Sequence, residues 1–194
     1  DHFIDPSTGA VIPPIHPATT YARGADYDLP AHGGTYARDE DPTVKQVEEV
    51  LAKLECGSDS RADAKLFSSG MAGITALLRA VIAVAGQEGR QARLIIQKSM
   101  YFGTVKLIEH LVSANAAQVD WFDPSAPDSL DQLLAQPADL VWVETPSNPY
   151  LHLLDLQAIS TKAKAAGALL AVDSTVAPPV LSRPLTLGAD VVFH

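Results

Sequence analysis

The stretch that decides the fold is Leu169-Leu170-Ala171-Val172-Asp173-Ser174-Thr175, an apolar run that ends on a carboxylate. Gly167 precedes it and Pro178-Pro179 follows it. An apolar run without polar alternation is typical of a strand covered on both faces, as in the parallel sheets of α/β proteins. Such sheets bind ligands at the carboxyl ends of their strands, where Asp173 stands. A carboxylate there needs a cation or several donors, although an aspartate that forms a turn or caps a helix is the alternative interpretation.

Short apolar runs alternate with helical patterns along most of the chain. The predicted strands cover residues 64–68, 94–97, 118–122, 140–144, 169–173 and 190–193. One helix is predicted from Asp41-Pro42-Thr43 to near Gly57, and the others cover 70–85, 104–113, 130–135 and 156–166. This rhythm predicts an α/β fold with a mostly parallel sheet and helices on both faces.

Residues 1–41 have a different composition, with prolines and glycines spread among them and no helical or alternating period. This density of breakers predicts an extended N-terminal arm that cannot form a core of its own. We therefore expect the arm to lie on another surface, and a neighbouring subunit is the natural candidate. Residues 42–194 are predicted to form the α/β domain.

The composition limits the classes of function. A chain of 194 residues that is 47% hydrophobic can bury one substantial core. The formal charge of -9 argues against binding to nucleic acid or to an anionic membrane surface. No long uncharged apolar stretch and no basic-then-apolar leader is evident, and the single Cys56 fits a reducing compartment. We therefore expect a cytoplasmic protein that does not enter a membrane.

Three further segments bring polar or aromatic groups to the sheet edge where Asp173 stands. Ser68-Ser69-Gly70 precedes an apolar helix, where free N–H groups and the helix dipole can bind phosphate. The alternative there is an N-cap serine with a closely packed glycine. Tyr101 can stack on a flat ligand or can be a rim residue. Asn148, in a proline-rich loop, either presents its amide to a ligand or forms a turn.

Together these features favour a flat, phosphorylated heteroaromatic cofactor with a basic ring nitrogen. Pyridoxal 5'-phosphate (PLP) is the obvious candidate, because an aspartate partner to the pyridinium recurs in its sites. A metal or Ser-His-Asp hydrolase is disfavoured, since the histidines show neither ligand spacing nor a nucleophile elbow.

Six motifs along the whole chain occur in the order of one known family. They are Val11-Ile12-Pro13-Pro14-Ile15, Tyr36-Ala37-Arg38 with Pro42-Thr43, Ser69-Gly70-Met71-Ala72, Glu144-Thr145-Pro146-Ser147-Asn148-Pro149, Val172-Asp173-Ser174-Thr175, and Leu187-Gly188-Ala189-Asp190-Val191-Val192-Phe193-His194. With these motifs the chain resembles the Cys/Met-metabolism group of PLP-dependent enzymes, which includes cystathionine γ-synthase, the cystathionine β- and γ-lyases and methionine γ-lyase. The resemblance implies the large domain of a type I PLP-dependent transferase.

The resemblance also implies roles for individual residues. The backbone of Gly70 and Met71 would hold the phosphate, and Tyr101 would stack on the ring and carry protons at the departing group. Asp173 would pair with the ring nitrogen, and Thr175 would support the cofactor from below.

Further roles concern the substrate and the neighbouring subunit. Asn148 would lie near the phenolic oxygen of the cofactor and the substrate carboxylate. Tyr36 and Arg38 would reach the phosphate of a neighbouring subunit, in a homotetramer built from dimers with shared sites. The implied reaction is elimination or replacement at the β or γ carbon of a sulfur amino acid or an activated homoserine.

The chain departs from the family at two positions that bear on these roles. Glu40-Asp41 stands where the family usually has Gly-Asn, so an acidic pair is expected near Arg38, where it would weaken phosphate binding or shift pairing in the arm. Gly103 stands where methionine γ-lyase usually carries a cysteine, which disfavours that particular activity.

A third departure concerns the end of the chain. In the family, a Ser-x-Thr-Lys segment with the Schiff-base lysine follows the residue that matches His194, and a C-terminal domain comes after it. None of the lysines in the chain stands at the matching position: Lys45, Lys53, Lys65, Lys98, Lys106, Lys162 and Lys164. We expect the chain to be the N-terminal portion of an enzyme; a half-length PLP-binding or interaction module is the alternative.

Overall fold

The computed structural model of the protein describes residues 3–30, 33–57 and 62–194. These residues form two compact units. The first contains the described residues up to Lys53 together with 62–66, and the second contains residues 54–57 and 67–194.

The first unit has little regular structure before helix α1 (Pro42–Cys56). Thr20 and Tyr36 form an isolated antiparallel bridge, but no helix or strand precedes α1 within the ranges described. The absence of regular elements before α1 in residues 3–30 and 33–41 is what the density of prolines and glycines predicts, while the role of this segment as an arm on another subunit stays a prediction.

The acidic pair before α1 makes local contacts within the first unit. Oδ1 of Asp41 accepts the N–H groups of Thr43 and Val44 at 2.9 and 3.0 Å, which is an N-cap arrangement. The Glu40 carboxylate lies 2.8 Å from Nζ of Lys45. Each of the two carboxylates thus has a role at the start of α1.

The second unit is built on a five-stranded parallel sheet. Its strands are β1 (Ala92–Gln97), β2 (Ala117–Phe122), β3 (Leu140–Glu144), β4 (Leu169–Asp173) and β5 (Val191–Phe193), in the spatial order β2-β1-β3-β4-β5. The helices are α2 (Gly70–Gln87), α3 (Phe102–Ser113), α4 (Pro127–Leu134) and α5 (Leu156–Ala165), with a 3-10 turn at Pro184–Leu187. The predicted parallel α/β architecture is confirmed.

Alternate side chains of each strand enter two separate cores, one on each face of the sheet. Leu140 and Trp142 of β3 pack with residues of α2 and α3. Val141 and Val143, one position along, pack with residues of α4 and α5. Helices therefore cover both faces, as the unbroken apolar strands predict.

Helix α2 is long and apolar enough, by length and composition, to cross a membrane, with 18 residues and a mean hydropathy of 1.4. Arg79 interrupts its apolar run, so no long uncharged apolar stretch is evident there in the sequence. In the structure, Ile74, Leu78 and Val81 on one side of α2 belong to the core on that face of the sheet. The helix has the position of a core helix in an α/β unit.

The predicted strand at residues 64–68 is wrong, because this segment has no strand partner and no regular structure. The N–H of Leu66 donates to Oε1 of Glu48 at 2.9 Å instead of to a neighbouring strand. Leu66 and Phe67 are also exposed, so the apolar residues that predicted a buried strand are not buried in the structure.

Candidate active site

The site lies where the strand order of the sheet reverses. From β1 the chain passes to β2 on one side and then to β3 on the other, so the segments that follow β1 and β3 leave in opposite directions. A cavity of about 400 Å³ lies at this edge. Its lining residues are Ser69, Gly70, Met71, Ile74, Tyr101, Glu144, Asn148, Asp173, Thr175 and Val176.

The first turn of α2 forms one wall of the cavity. Ser69 is the N-cap, and its hydroxyl oxygen accepts the N–H of Ala72 at 3.2 Å. The N–H groups of Gly70 and Met71 have no acceptor among the described residues, as expected in the first turn of a helix. A Cβ at Gly70 would meet no atom within 4 Å, so open space lies beside this backbone. The serine caps the helix as one interpretation expected, but Gly70 is not closely packed, and the turn retains N–H groups that could bind an anion.

Asp173 ends β4 with its side chain 7% exposed, although it is a carboxylate. Its Oδ1 accepts the hydroxyl of Thr175 at 2.6 Å and the N–H of Thr175 at 3.1 Å. Its Oδ2 has no hydrogen-bond partner among the described residues. The Thr175 contacts resemble those of a turn aspartate, but the side chain also lines the cavity and retains one oxygen for a donor there.

Tyr101 lies between β1 and α3, where its ring is half-exposed to the cavity. The ring of Phe102 contacts it edge-on, with the ring centroids 5.0 Å apart. A Cβ at Gly103 would lie 2.5 Å from Cε1 of Tyr101. The absence of a side chain at position 103 is therefore what allows the tyrosine ring to occupy this place.

The loop after β3 carries Asn148 and is held by internal hydrogen bonds. The N–H of Ser147 donates to the carbonyl of His152 at 3.2 Å, and the N–H of His152 donates to the hydroxyl of Ser147 at 3.1 Å. The Thr145–Pro146 and Asn148–Pro149 peptide bonds are cis. The loop therefore closes on itself at the rim of the cavity.

Glu144, the last residue of β3, is a second buried carboxylate at this edge, with 4% of its surface exposed. Its Oε2 accepts the N–H of Tyr101 at 2.7 Å, and its Oε1 accepts the N–H of Asn148. Its own N–H donates to the buried Oε1 of Gln97 at 2.9 Å. Both oxygens of the Glu144 carboxylate thus have partners, whereas in Asp173 only Oδ1 has them.

The environment of Glu144 raises the pKa of its carboxyl. Burial raises the pKa of this carboxyl above its usual value, the N–H groups of Tyr101 and Asn148 oppose the rise, and the charge of Asp173 adds to it. The two carboxylates are neighbours across β3 and β4, because Glu144 pairs with Asp173 in the register of the strands. The cavity thus combines a helix N-terminus with two acidic side chains.

The structure brings together six of the residues predicted for the site. Gly70, Met71, Tyr101, Asn148, Asp173 and Thr175 all line the one cavity. Tyr36 and Arg38 belong to the first unit, where the guanidinium lies over the Tyr36 ring at 4.4 Å from its centroid. Those two are not among the lining residues.

Three lining residues were not assigned a role from the sequence: Ile74, Glu144 and Val176. Glu144 carries the same signal as Asp173, a carboxylate at the end of an apolar strand, and could have been found by it. Ile74 and Val176 carry no such signal, because an apolar residue at a cavity wall looks like any core residue in the sequence.

Comparison with known proteins identifies the family of the chain. The model of the family described as Cys/Met metabolism PLP-dependent enzyme matches residues 2–194. The chain belongs to this family. It is 36% identical to the cystathionine beta-lyase of Lactococcus lactis subsp. cremoris (strain MG1363), covering 98% of this chain and 47% of that enzyme.

Two further comparisons place the chain among enzymes of this Cys/Met-metabolism family. It is 36% identical to the cystathionine gamma-synthase of Mycobacterium bovis (strain ATCC BAA-935 / AF2122/97), covering 98% of this chain and 46% of that enzyme. The crystal structure of cystathionine gamma synthase from Xanthomonas oryzae pv. oryzae, in complex with aminoacrylate and cysteine, superposes with a TM-score of 0.84 at 34% identity over 97% of this chain and 46% of that one. The chain thus spans about half the length of the relatives it matches.

Proposed function

We propose that this chain is the cofactor-binding portion of a PLP-dependent enzyme that performs elimination or replacement at the β or γ carbon of a sulfur amino acid or an activated homoserine. The observation that carries the proposal is the buried carboxylate of Asp173, which leaves Oδ2 without a partner beside the cavity. A carboxylate on a residue so little exposed is stabilised by a donor, and a protonated ring nitrogen would supply one.

The residues around the cavity fit PLP. The free N–H groups of Gly70 and Met71 would bind its phosphate, and the open space at Gly70 lets that group approach the backbone. The ring of Tyr101 would lie against the pyridine ring, and Asp173 would hold the ring nitrogen protonated. When bound, the cofactor supplies an electron sink that stabilises a carbanion of the substrate.

The charge of the cavity supports a shared site. Among the described residues that line it, Glu144 and Asp173 are acidic and none is a lysine or arginine. A phosphate that carries nearly two negative charges would therefore need a cation from beyond these lining residues. We assign Arg38, with Tyr36, to the phosphate of a second copy of the chain, in a dimer of dimers.

The domain organisation follows from the same proposal. Residues 1–41 would be the arm that contacts the second copy, and residues 42–194 the PLP-binding domain. The lysine that links to the cofactor and the domain that grips the substrate carboxylate would come from the rest of the protein. The acidic composition and the family's metabolic relatives support a cytoplasmic location.

The test uses the full-length protein, wild type and Asp173→Asn. The wild type should bind PLP with a visible absorption band and should release a 2-oxo acid from cystathionine or another sulfur amino acid. Pyruvate would identify β-elimination, and 2-oxobutyrate would identify γ-elimination. The variant keeps the size of the side chain but loses its charge, so it should fold, bind PLP weakly and lose almost all turnover. Full activity of Asp173→Asn would refute the assignment.

A further inference from the structure

Glu144 connects two segments that leave the sheet in opposite directions. Its Oε2 accepts the N–H of Tyr101, which follows β1, and its Oε1 accepts the N–H of Asn148, which follows β3. We infer that Glu144 is a positioning residue whose carboxylate fixes the backbone of Tyr101 and of Asn148 together, and so sets the tyrosine ring and the asparagine amide at the cavity that both residues line. This inference rests on the proposed function only for the identity of the cofactor.

The backbone of Tyr101 needs a hydrogen bond that holds it in place. Tyr101 is the residue before α3, and its side chain makes no capping hydrogen bond to that helix. Its N–H precedes the helix and takes no part in the intrahelical hydrogen bonds, and among the described residues Glu144 is the acceptor that this N–H has. A residue that stacks on a ligand must be held within a fraction of an ångström, which a hydrogen bond from a rigid strand end achieves.

The two hydrogen bonds require a carboxylate. An ionised glutamate accepts at both oxygens, whereas a glutamine accepts at one and presents N–H groups at the other. Gln97 of β1 holds the backbone of Glu144, because its Oε1 accepts the N–H of Glu144. Its own side chain is oriented by Nε2, which donates to the carbonyl of Ser99. Glu144→Gln should therefore release one of the two loops while preserving the packing of the strand.

The charge of Glu144 does not serve the stability of the fold. Burial raises the pKa of this carboxyl in the folded protein. Its titration therefore stabilises the fold at pH values below the unfolded pKa of 4.5, and this stabilisation is lost as the pH rises through the folded pKa. When the group is ionised, it carries this cost. The titratable group that bears on it is Asp173 on β4, whose charge acts on it directly, while Gln97 on β1 is neutral.

The first experiment measures the backbone amides in the full-length protein without cofactor. With ¹⁵N-labelled tyrosine and asparagine, the amide protons of Tyr101 and Asn148 should shift downfield together as the pH rises through a single pKa above 4.5, the ordinary glutamate value. Glu144→Gln should remove this step from both amides. Glu109→Gln, which removes an exposed carboxylate paired with Lys106, should leave it intact. Amides that titrate independently, or an unchanged step in Glu144→Gln, would overturn the inference.

The second experiment titrates the apo proteins with PLP and follows the visible absorption. Glu144→Gln should bind PLP about tenfold more weakly than wild type, while Glu109→Gln matches wild type. Equal affinity of Glu144→Gln and wild type would overturn the positioning role. If the wild type failed to bind PLP at all, the proposed function would fail, whereas the amide titration would still decide whether Glu144 joins the two loops.

Discussion

The hydroxyl of Thr175 donates a 2.6 Å hydrogen bond to Oδ1 of Asp173, and the backbone N–H of the same threonine donates a second bond of 3.1 Å to the same oxygen. The sequence assigned Thr175 to the support of the cofactor, but the contact that the structure contains is with the aspartate. The two bonds fix the plane of the carboxylate and leave Oδ2 for a donor in the cavity. We therefore expect Thr175 to act on a ligand of the cavity through Asp173.

We expect Thr175→Val to weaken PLP binding about tenfold, because it removes the hydroxyl donor to a charged group while keeping the branched shape of the side chain. The backbone N–H bond to Asp173 remains in this variant. Thr175→Ser keeps the hydroxyl and should bind PLP within about twofold of wild type. Absorption titrations of the apo proteins measure both. Equal loss in the serine and valine variants would show that the methyl group matters instead.

We expect Gly103→Ala to displace the ring of Tyr101, because the added Cβ would lie 2.5 Å from Cε1 of that ring. The ring can move since it is the far end of a flexible side chain, so the fold should survive and the binding geometry should change. The expected result is an altered circular dichroism band of bound PLP, with a melting temperature close to wild type. Gly57→Asn, at a left-handed position outside the cavity, is the control and should leave the band unchanged.

The sequence predicted the architecture well where hydrophobic pattern alone decides it. The strand 169–173 agrees with β4 to the residue, and five of the six predicted strands exist. The start of α3 was placed two residues late, since Tyr101 provides no capping side chain to signal it. The strand predicted at 64–68 is absent, because an apolar sequence does not show whether a partner strand lies beside it.

The sequence can show which acidic residues lie at the site but not what their oxygens contact. A carboxylate at the end of a dry strand is visible in the sequence, and both Asp173 and Glu144 show it. What the sequence does not contain is which oxygens are already engaged. Backbone N–H groups from two distant loops occupy both oxygens of Glu144, and that depends on the strand order β1-β3-β4, which arises only on folding.

Two glycines of α2 should respond to alanine with opposite signs. A Cβ at Gly86 would meet nothing within 4 Å, so Gly86→Ala should raise the free energy of unfolding by about 0.5–1 kcal/mol through helix propensity. A Cβ at Gly73 would lie 3.1 Å from the Phe193 ring and 3.2 Å from the Phe67 ring, so Gly73→Ala should lower it by about 1 kcal/mol. Urea unfolding of both variants measures this, and a gain for Gly73→Ala would mean that the two rings yield freely.

Asp139 should make the stability depend on pH. Hydrogen bonds from Arg90 hold the pKa of its carboxyl below the ordinary 3.8, and the bidentate contacts measure 2.7 and 2.6 Å. A lowered pKa gives stability that is present above the unfolded value and lost as the pH falls through the folded one. Asp139→Asn should therefore cost about 1 kcal/mol at neutral pH and progressively less below pH 3.8.

The matched control for this pair is Asp131→Asn, which removes an exposed carboxylate 2.6 Å from Lys162. Because both partners are largely solvated, this variant should change the free energy of unfolding by less than about 0.5 kcal/mol. Unfolding curves across the acid range compare the two variants. A difference between wild type and Asp139→Asn that does not shrink in acid would mean that the contact with Arg90 is not the origin of the effect.

Mixed oligomers should reveal whether Arg38 acts on the site of a second copy. Consider a dimer of one full-length Arg38→Ala subunit and one full-length Asp173→Asn subunit. If Arg38 acts on the site of the partner, both substitutions affect the same site and the other site is intact. Random mixing of two inactive variants should then restore about a quarter of wild-type activity, because half of the dimers are mixed and each has one intact site. Mixing Arg38→Ala with Tyr36→Ala places a lesion in every site and should restore none. Absence of recovery in the first mixture, after exchange is verified by mass, would show that Arg38 acts within its own subunit.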